Sequence, residues 1–393
     1  MDSGSGDTER FSLVVGGPFH AVLRRLGLTG ADQLPTRRAA ISLALVAWLP
    51  PALLAVAQSL VDARYSGWGF FTDLTVHTRY LVAIWMMVAT ERYADGRIVL
   101  LTRQFREARL LSDHGLPAFA AVLAIADRRS SSALAEVVIV AAALVWSGLT
   151  ARYAVALAGS SWEGTVVAGE VALSWAGETA RFVSTPLFLF LVLRWIWRFL
   201  VWTALLYRIS RLPLQLTPLH PDRSAGLGFL AIYPSVFSGF VFALSCVVAS
   251  SFLKELDLVR HSPETVWFAL AGWLAMSLVL FLGPLLVFVG PLYAVRERAL
   301  LDYGRLANQH HLAFHRKWIG EARSGEDLMG SSDASSASDL NASVEVVREL
   351  RVVPVDGAAV VQLLVAAGVP MLAVVATQMP LSDLAKWIIG TIL

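Results

Sequence analysis

Cysteine is almost missing from this chain of 393 residues: Cys246 stands alone. No intramolecular disulfide can form, and a thiolate metal cluster would need other ligands. Cys246 sits in an apolar run and reads as a small buried hydrophobe. Lysine is scarce too, since Lys254, Lys317 and Lys386 are the only three and the other basic residues are arginine. That Arg, Ala and Gly bias points to a high-GC bacterium. Charge is sparse in both signs, at 16% of residues with a net +2, so nothing in the balance suggests a nucleic-acid partner. Catalytic signatures are missing as well: no Gly-rich phosphate loop, no His-Glu-x-x-His pair and no Ser nucleophile elbow. No cofactor is implied. A cleavable signal peptide is not expected either, because Arg24, Arg25, Arg37 and Arg38 precede the first long apolar run and no small-residue cleavage pattern follows it.

What the chain does have is apolar residues, 56% of the total, with a mean hydropathy of +0.62. One water-soluble core would not bury so much apolar surface, so lipid must cover the rest. A spanning helix needs about 20 apolar residues at 1.5 Å each to cross about 30 Å of hydrocarbon. Five stretches satisfy this clearly: 39–61, 133–158, 182–206, 226–253 and 265–295. Two are weaker: 74–90, which carries Arg79 and ends at Glu91 and Arg92, and 357–379, interrupted by Pro370. The expected fold is therefore all-α, a polytopic transmembrane bundle of about seven spans with cytosolic amphipathic helices.

Arg and Lys alternate between connecting segments very unevenly. Twenty-two fall in one set of segments and only six in the other, which holds Arg64, Arg79, Arg181, Lys254, Arg260 and Lys386. Positive residues are retained on the cytoplasmic side, so the N-terminus is expected in the cytoplasm and, after seven crossings, the C-terminus outside a bacterial inner membrane. The acidic outer loop with Glu163, Glu170 and Glu178 agrees. The resulting division is a cytosolic arm (1–38), a transmembrane domain of six spans (39–295), a cytosolic helix and Ser-rich loop (296–356), and a last span with an outer tail (357–393). Within the arm, Phe11 to Leu28 suits a short interfacial helix. Ile98, Leu101, Phe105 and Leu111 alternate with Arg103, Arg106 and Arg109 at helical spacing, which predicts an amphipathic helix under the bundle. Ser324 to Ser343 reads as a loop, mobile unless docked. The sequon at Asn341 falls on the cytosolic side, where glycosylation does not occur.

Two stretches carry a resemblance. The run from His220 through Pro221, Asp222, Arg223, Gly226, Leu227 and Gly228 to Leu230, preceded by Arg194-Trp195-Ile196-Trp197-Arg198, resembles a loop motif of a family of uncharacterised bacterial polytopic inner-membrane proteins. The run Leu328 to Asp333, through Asp339-Leu340 to Arg348-Glu349-Leu350-Arg351, resembles a second motif of that family. Here Ala334-Ser335-Ser336-Ala337-Ser338 is more serine-heavy than the family's pattern. The resemblance implies a membrane topology from the second span onward and no particular activity.

Three groups of residues are candidates for function. First, Arg194 lies about 18 Å along a helix from Phe182, too deep to reach either headgroup layer, whereas Arg198 can snorkel. An unpaired arginine at that depth costs on the order of 3 kcal/mol, so Arg194 is expected to face a carboxylate, a hydrated cavity or a subunit contact. Glu91 and Glu136 are the partner candidates; a structural ion pair and an anion-attracting pore wall both remain open. Second, His220, Asp222, Arg223, Gly226 and Gly228 form either a gate, a phosphate contact or half a metal site, or else a rigid turn capping the next helix. Third, His311 and His315 share a helix face at metal-pair spacing; they are either surface histidines or part of a metal site whose third ligand would come from His310, Asp302 or the His220–Asp222 turn. Gly283, Pro284, Gly290 and Pro291 are expected to break the sixth span. Together these suggest a channel or transporter for a small ion or solute, possibly anion-selective, assembled as a homo-oligomer among membrane lipids. The alternatives are a non-transporting scaffold or signalling protein, or a lipid-active enzyme using the His220/Asp222 region.

Overall fold

The computed structural model describes residues 11–62, 65, 67–158, 160–167, 169–258, 263–320 and 332–378. The chain is an all-α bundle, 78% helical, relieved by one small antiparallel sheet. Its helices are α1 (Gly17–Arg25), α2 (Arg37–Val61), α3 (74–89), α4 (Glu91–Glu107), α5 (Leu116–Ser130), α6 (Ala133–Ala158), α7 (Trp175–Ile209), α8 (Tyr233–Leu258), α9 (Pro263–Leu282), α10 (Val289–Trp318), α11 (Ser332–Arg348) and α12 (Gly357–Gln378). Strands β1 (Ser160–Ser161), β2 (Gly164–Val167) and β3 (Glu170–Leu173) lie between α6 and α7.

Among the described residues, six helical runs are long and apolar enough to cross a membrane. They contain α2, α6, α7, α8, α9 and α12; five of them match the clear stretches, and the sixth matches the one holding Pro370. The expected seventh, 74–90, folds as a helix but falls short of this length. Its 16 residues rise only about 24 Å before the chain turns at Thr90 into polar α4. It is nevertheless a core element, with Tyr80, Ala83, Ile84, Met87 and Val88 buried. Asp73 before it touches the sheet region through Trp162, and Glu91 after it touches Arg198, so α3 runs between the two ends of the bundle. The sheet lies at the first, the hairpin end, and the N-terminal arm at the second, the arm end.

Local sequence fixes where the helices start and break. Thr36 caps α2 through the Ala39 amide, Asp73 caps α3 through Thr75, and Ser174 caps α7 through Gly177. Pro186 has no N–H for the carbonyl four residues back, and α7 loosens into a π turn at Ala180–Ser184 just before it. A second π turn, His77–Ala83 in α3, contains no proline. The expected break near Pro284 is present as a 3₁₀ stretch, Gly283–Phe288, joining α9 to α10. Pro370 breaks nothing; α12 runs straight through it along α8.

Two further expectations are corrected. The arm does not lie on a membrane surface as one helix: only Gly17–Arg25 is helical, and Phe11, Ser12, Leu13 and Val14 are buried in the bundle. The Ser-rich segment is helical from Ser332 onward, because Asp333 meets Lys317 at 2.8 Å and the Trp318 indole at 3.1 Å, docking α11 on α10. Its serines bond back to carbonyls within the helix, as Ser335 and Ser336 do to Ser332. Residues 324–331 of that segment lie outside the described set. The amphipathic reading of 92–132 holds within α4, where Ile98, Leu101 and Phe105 are buried on one face, but not through Arg109 and Leu111: α4 ends at Glu107, Arg109 has φ +51, and Leu111 bridges Leu214 before α5 begins.

Candidate functional site

Arg194 and Arg198 are one turn apart on α7 and share a face. The turn at Thr90 delivers Glu91 to that face, and the first turn of α6 delivers Glu136. Glu91 Oε1 accepts from Arg194 at 3.0 Å and from Arg198 at 2.7 Å, while Arg194 Nε lies 3.5 Å from Glu136 Oε1. All four are buried: Arg194 is 5% exposed, Arg198 3%, Glu91 1% and Glu136 6%. Both sequence candidates are thus Arg194's partners, and a hydrated cavity at Arg194 is not what it faces. Two positive charges meet two negative ones, which lowers the desolvation penalty without removing it. Glu91 Oε2 and one amino nitrogen of Arg198 remain buried without a protein hydrogen-bond partner.

The arm closes this layer from one side. The Phe19 amide donates to Glu136 Oε2 at 2.7 Å, the Phe19 ring lies 4.8 Å under the Arg194 guanidinium, and Ser12 hydrogen-bonds Asp95. On the α8 side the layer is backed by rings: Trp195, between the two arginines, stacks on Phe240 at 5.5 Å, and Phe237 and Phe281 pack 5.6 Å apart. The Trp195 indole donates to the Met87 carbonyl at 3.1 Å and ties α7 to α3. Sequence reasoning missed the arm's part because Phe11 to Phe19 carries no charge pattern pointing inward.

The 220 loop is a rigid turn. Both Asp222 oxygens are occupied, by the amides of Ser224 at 2.8 Å, Gly226 at 3.1 Å and Gly228 at 2.7 Å, and His220 Nδ1 lies 2.9 Å away. Gly226 has φ +95, which a side chain would strain. Arg223 pairs with Glu349 at 3.1 Å, and its carbonyl accepts from the Arg351 amide at 2.7 Å. The two motif-bearing stretches of the sequence therefore touch. Burial pushes the Asp222 carboxyl up, but the three amides and His220 outweigh it and hold the group below the ordinary carboxylate range. A depressed folded-state value contributes stability above the unfolded value of about 3.9, and this is lost as pH falls through the folded one. Asp222→Asn is expected to lose about 2 kcal/mol at pH 7 and to flatten the acid limb of a melting-temperature profile below about pH 4; an unchanged profile would contradict this role.

His311 Nε2 meets Asn341 at 3.0 Å, joining α10 to α11. Among the described residues no group of three or more His, Cys, Asp or Glu side chains converges as a metal site, so His311 and His315 gain no third ligand.

At the hairpin end the structure assembles a site that sequence reading did not single out. A cavity of about 330 Å³ is lined by Arg79, Arg181, Glu163, Ser147, Thr150 and Thr185, with Trp146, Phe188, Leu189 and Val247 as its apolar wall. Arg79 sits in the π turn of α3 and Arg181 in the π turn of α7. Such turns insert a residue and redirect side chains, and they recur at functional sites. Arg79 lies 5.9 Å from the Phe188 ring. Arg181 reaches Glu178 only at 3.6 Å, and its Nε is buried without a partner. Glu163 arrives on the hairpin, which Trp162 anchors by packing on Phe70 at 5.0 Å and donating to Asp73 at 3.1 Å. Burial raises the Glu163 carboxyl, opposed by Arg79 and Lys254 and reinforced by Asp73. The positive residues were legible only as members of the sparse set; their convergence was not.

No family model, no curated protein and no solved structure matches this chain significantly.

Proposed function

We propose that this protein moves a small solute across the bacterial inner membrane, as a transporter or gated channel with a cytoplasmic N-terminus and an external C-terminus, in a closed state. In this reading the arm end faces the cytoplasm and the hairpin end faces outward, in keeping with the family that the 220 loop resembles. One observation carries it: a balanced layer of two arginines and two glutamates buried inside an apolar bundle, sealed by the arm on one side and by aromatic rings on the other. Ionisable groups within a membrane bundle are expensive and mark pathways, whereas aliphatic residues would serve a scaffold as well or better. Two π turns and the 3₁₀ stretch at Gly283–Phe288 supply bendable points in the helices that surround the layer. The broad apolar faces of α6 and α9 suit lipid or a second copy of the chain, and a homo-oligomer is part of the proposal.

The rival scaffold reading rests on the docked α10 and α11, and the enzyme reading on His220 and Asp222, whose oxygens are already engaged. Flux into proteoliposomes separates them. Purified protein is expected to raise uptake of a small permeant solute above protein-free liposomes, and reporters fused after Gln378 are expected to be active only outside. Absence of flux for cations, anions and neutral solutes alike would sink the transport reading, and a cytoplasmic reporter would sink the topology.

A further inference from the structure

We propose that the hairpin-end cavity is a binding site for a small organic monocarboxylate. Two guanidinium groups converge on it from different helices, and among the described lining residues Glu163 is the sole carboxylate opposing them. An excess of positive charge in a partly apolar wall attracts an anion more strongly than it would in open water. The planar fork of arginine matches the two oxygens of a carboxylate, which a spherical ion cannot exploit. The buried, unpartnered Nε of Arg181 is a donor already aimed into a site with nothing of the protein's own to receive it. A terminal nitrogen of the same guanidinium lies 3.6 Å from half-exposed Glu178, long enough for a better acceptor to replace it.

The rest of the lining sets the body of the ligand. Phe188, Leu189, Val247 and Trp146 give an apolar surface beside the arginines, and Ser147 spends its hydroxyl on the Arg181 carbonyl at 2.7 Å, fixing the π turn. Thr185 is likewise engaged, by the Tyr80 hydroxyl at 2.8 Å, so both π turns are tied in place by polar contacts beside the cavity. A volume of about 330 Å³ is at the small end of ligand sites, which argues against large anions and suits a short acid. Glu163 disfavours a second negative charge.

This supplies a substrate class to the transport reading and rests on it for meaning, but binding is measured without transport. The probe is butyrate, titrated calorimetrically into the full chain in nanodiscs, with nitrate and 2-aminobutyrate as comparators. The expected result is one saturable site per chain, at least tenfold weaker nitrate binding, and 2-aminobutyrate binding no tighter than butyrate. Arg79→Gln and Arg181→Gln should each weaken butyrate at least tenfold, and Glu163→Gln should tighten it severalfold. If the glutamine variants of arginine do not purify, Arg181→Lys and Glu163→Gln decide: the site predicts weakening in the first and tightening in the second, whereas a merely structural role lowers both. No saturable butyrate binding, nitrate binding equal to butyrate, tighter 2-aminobutyrate binding, or an unaffected Arg181→Gln would each overturn the proposal. Binding without flux would leave the site standing and remove transport; flux without binding would do the reverse.

Discussion

Glu91→Gln is expected to be the most damaging conservative substitution in the protein, destabilising it by about 3 to 5 kcal/mol. One oxygen of Glu91 serves both Arg194 and Arg198, and the residue is 1% exposed. Neutralising it leaves two buried guanidinium groups facing one carboxylate, Glu136, whose contact with Arg194 is the longest in the layer at 3.5 Å. Glu136→Gln should be milder: Arg194 keeps Glu91, and the amide oxygen can still accept the Phe19 N–H that Glu136 holds at 2.7 Å. Combining Glu91→Gln with Arg198→Gln should recover part of the loss, since charge is again balanced, and the coupling should exceed about 1 kcal/mol. The measurement is thermal or denaturant unfolding of the parent, the three single variants Glu91→Gln, Glu136→Gln and Arg198→Gln, and the double variant, with membrane yield as a second readout. A Glu91→Gln protein within about 0.5 kcal/mol of the parent would mean that the layer is hydrated and that the ion pairs are not what holds α3, α6 and α7 together.

Gly177→Ala is the second large effect. A Cβ at Gly177 would overlap the Glu163 carbonyl oxygen and come within 2.8 Å of its carbon, and both partners are backbone. No rotamer can relieve that, so hairpin and helix must separate. Separation breaks the Ser174 amide bond to the Glu163 carbonyl at 2.9 Å and the Ser174 hydroxyl bond to the Trp162 carbonyl at 2.7 Å. Overpacking of this kind costs about 3 kcal/mol at its upper range. The expected result is a lower melting temperature together with proteolytic cleavage between Ser160 and Leu173 in folded protein. Since Glu163 rides on the displaced hairpin, butyrate affinity should change too. A variant that melts with the parent and resists cleavage would show that the hairpin is not seated on α7 in solution.

The apolar stretches and their spacing were legible because membrane helices are specified locally: about 20 apolar residues make a span whatever surrounds them. Arg194 was legible for the same reason, as its depth along α7 follows from residue count alone. Even its partners were, since Glu91 and Glu136 are the carboxylates nearest the ends of their own stretches. The failures are equally specific. Residues 74–90 were read as a full span, yet Thr90 turns the chain after 16 helical residues, and only packing against neighbours keeps so short a helix buried. The composition of Phe11 to Leu28 fits a surface helix, while the burial of Phe11 to Val14 and the seating of Phe19 depend on contacts with Asp95, Glu136 and Arg194, residues far away in the chain. Ser324 to Ser343 favours a loop through its Ser, Asp and Gly and its few large apolar residues, and from Ser332 onward docking through Asp333 overrides that preference.

The sequence by itself determined that this is an α-helical membrane protein, which segments are apolar enough to span, and that deep charges must find partners. Those conclusions rest on hydrophobicity and helical rise, which act within a segment. Tertiary structure alone decided that Asp222 is consumed by three amides, that the arm plugs the charged layer, and that Arg79, Arg181 and Glu163 meet in one cavity. Arg79 and Arg181 are about a hundred residues apart, and Glu163 rides on a separate hairpin. Their convergence depends on two π turns and on the close approach at Gly177, and no local preference encodes how distant helices are rotated against one another.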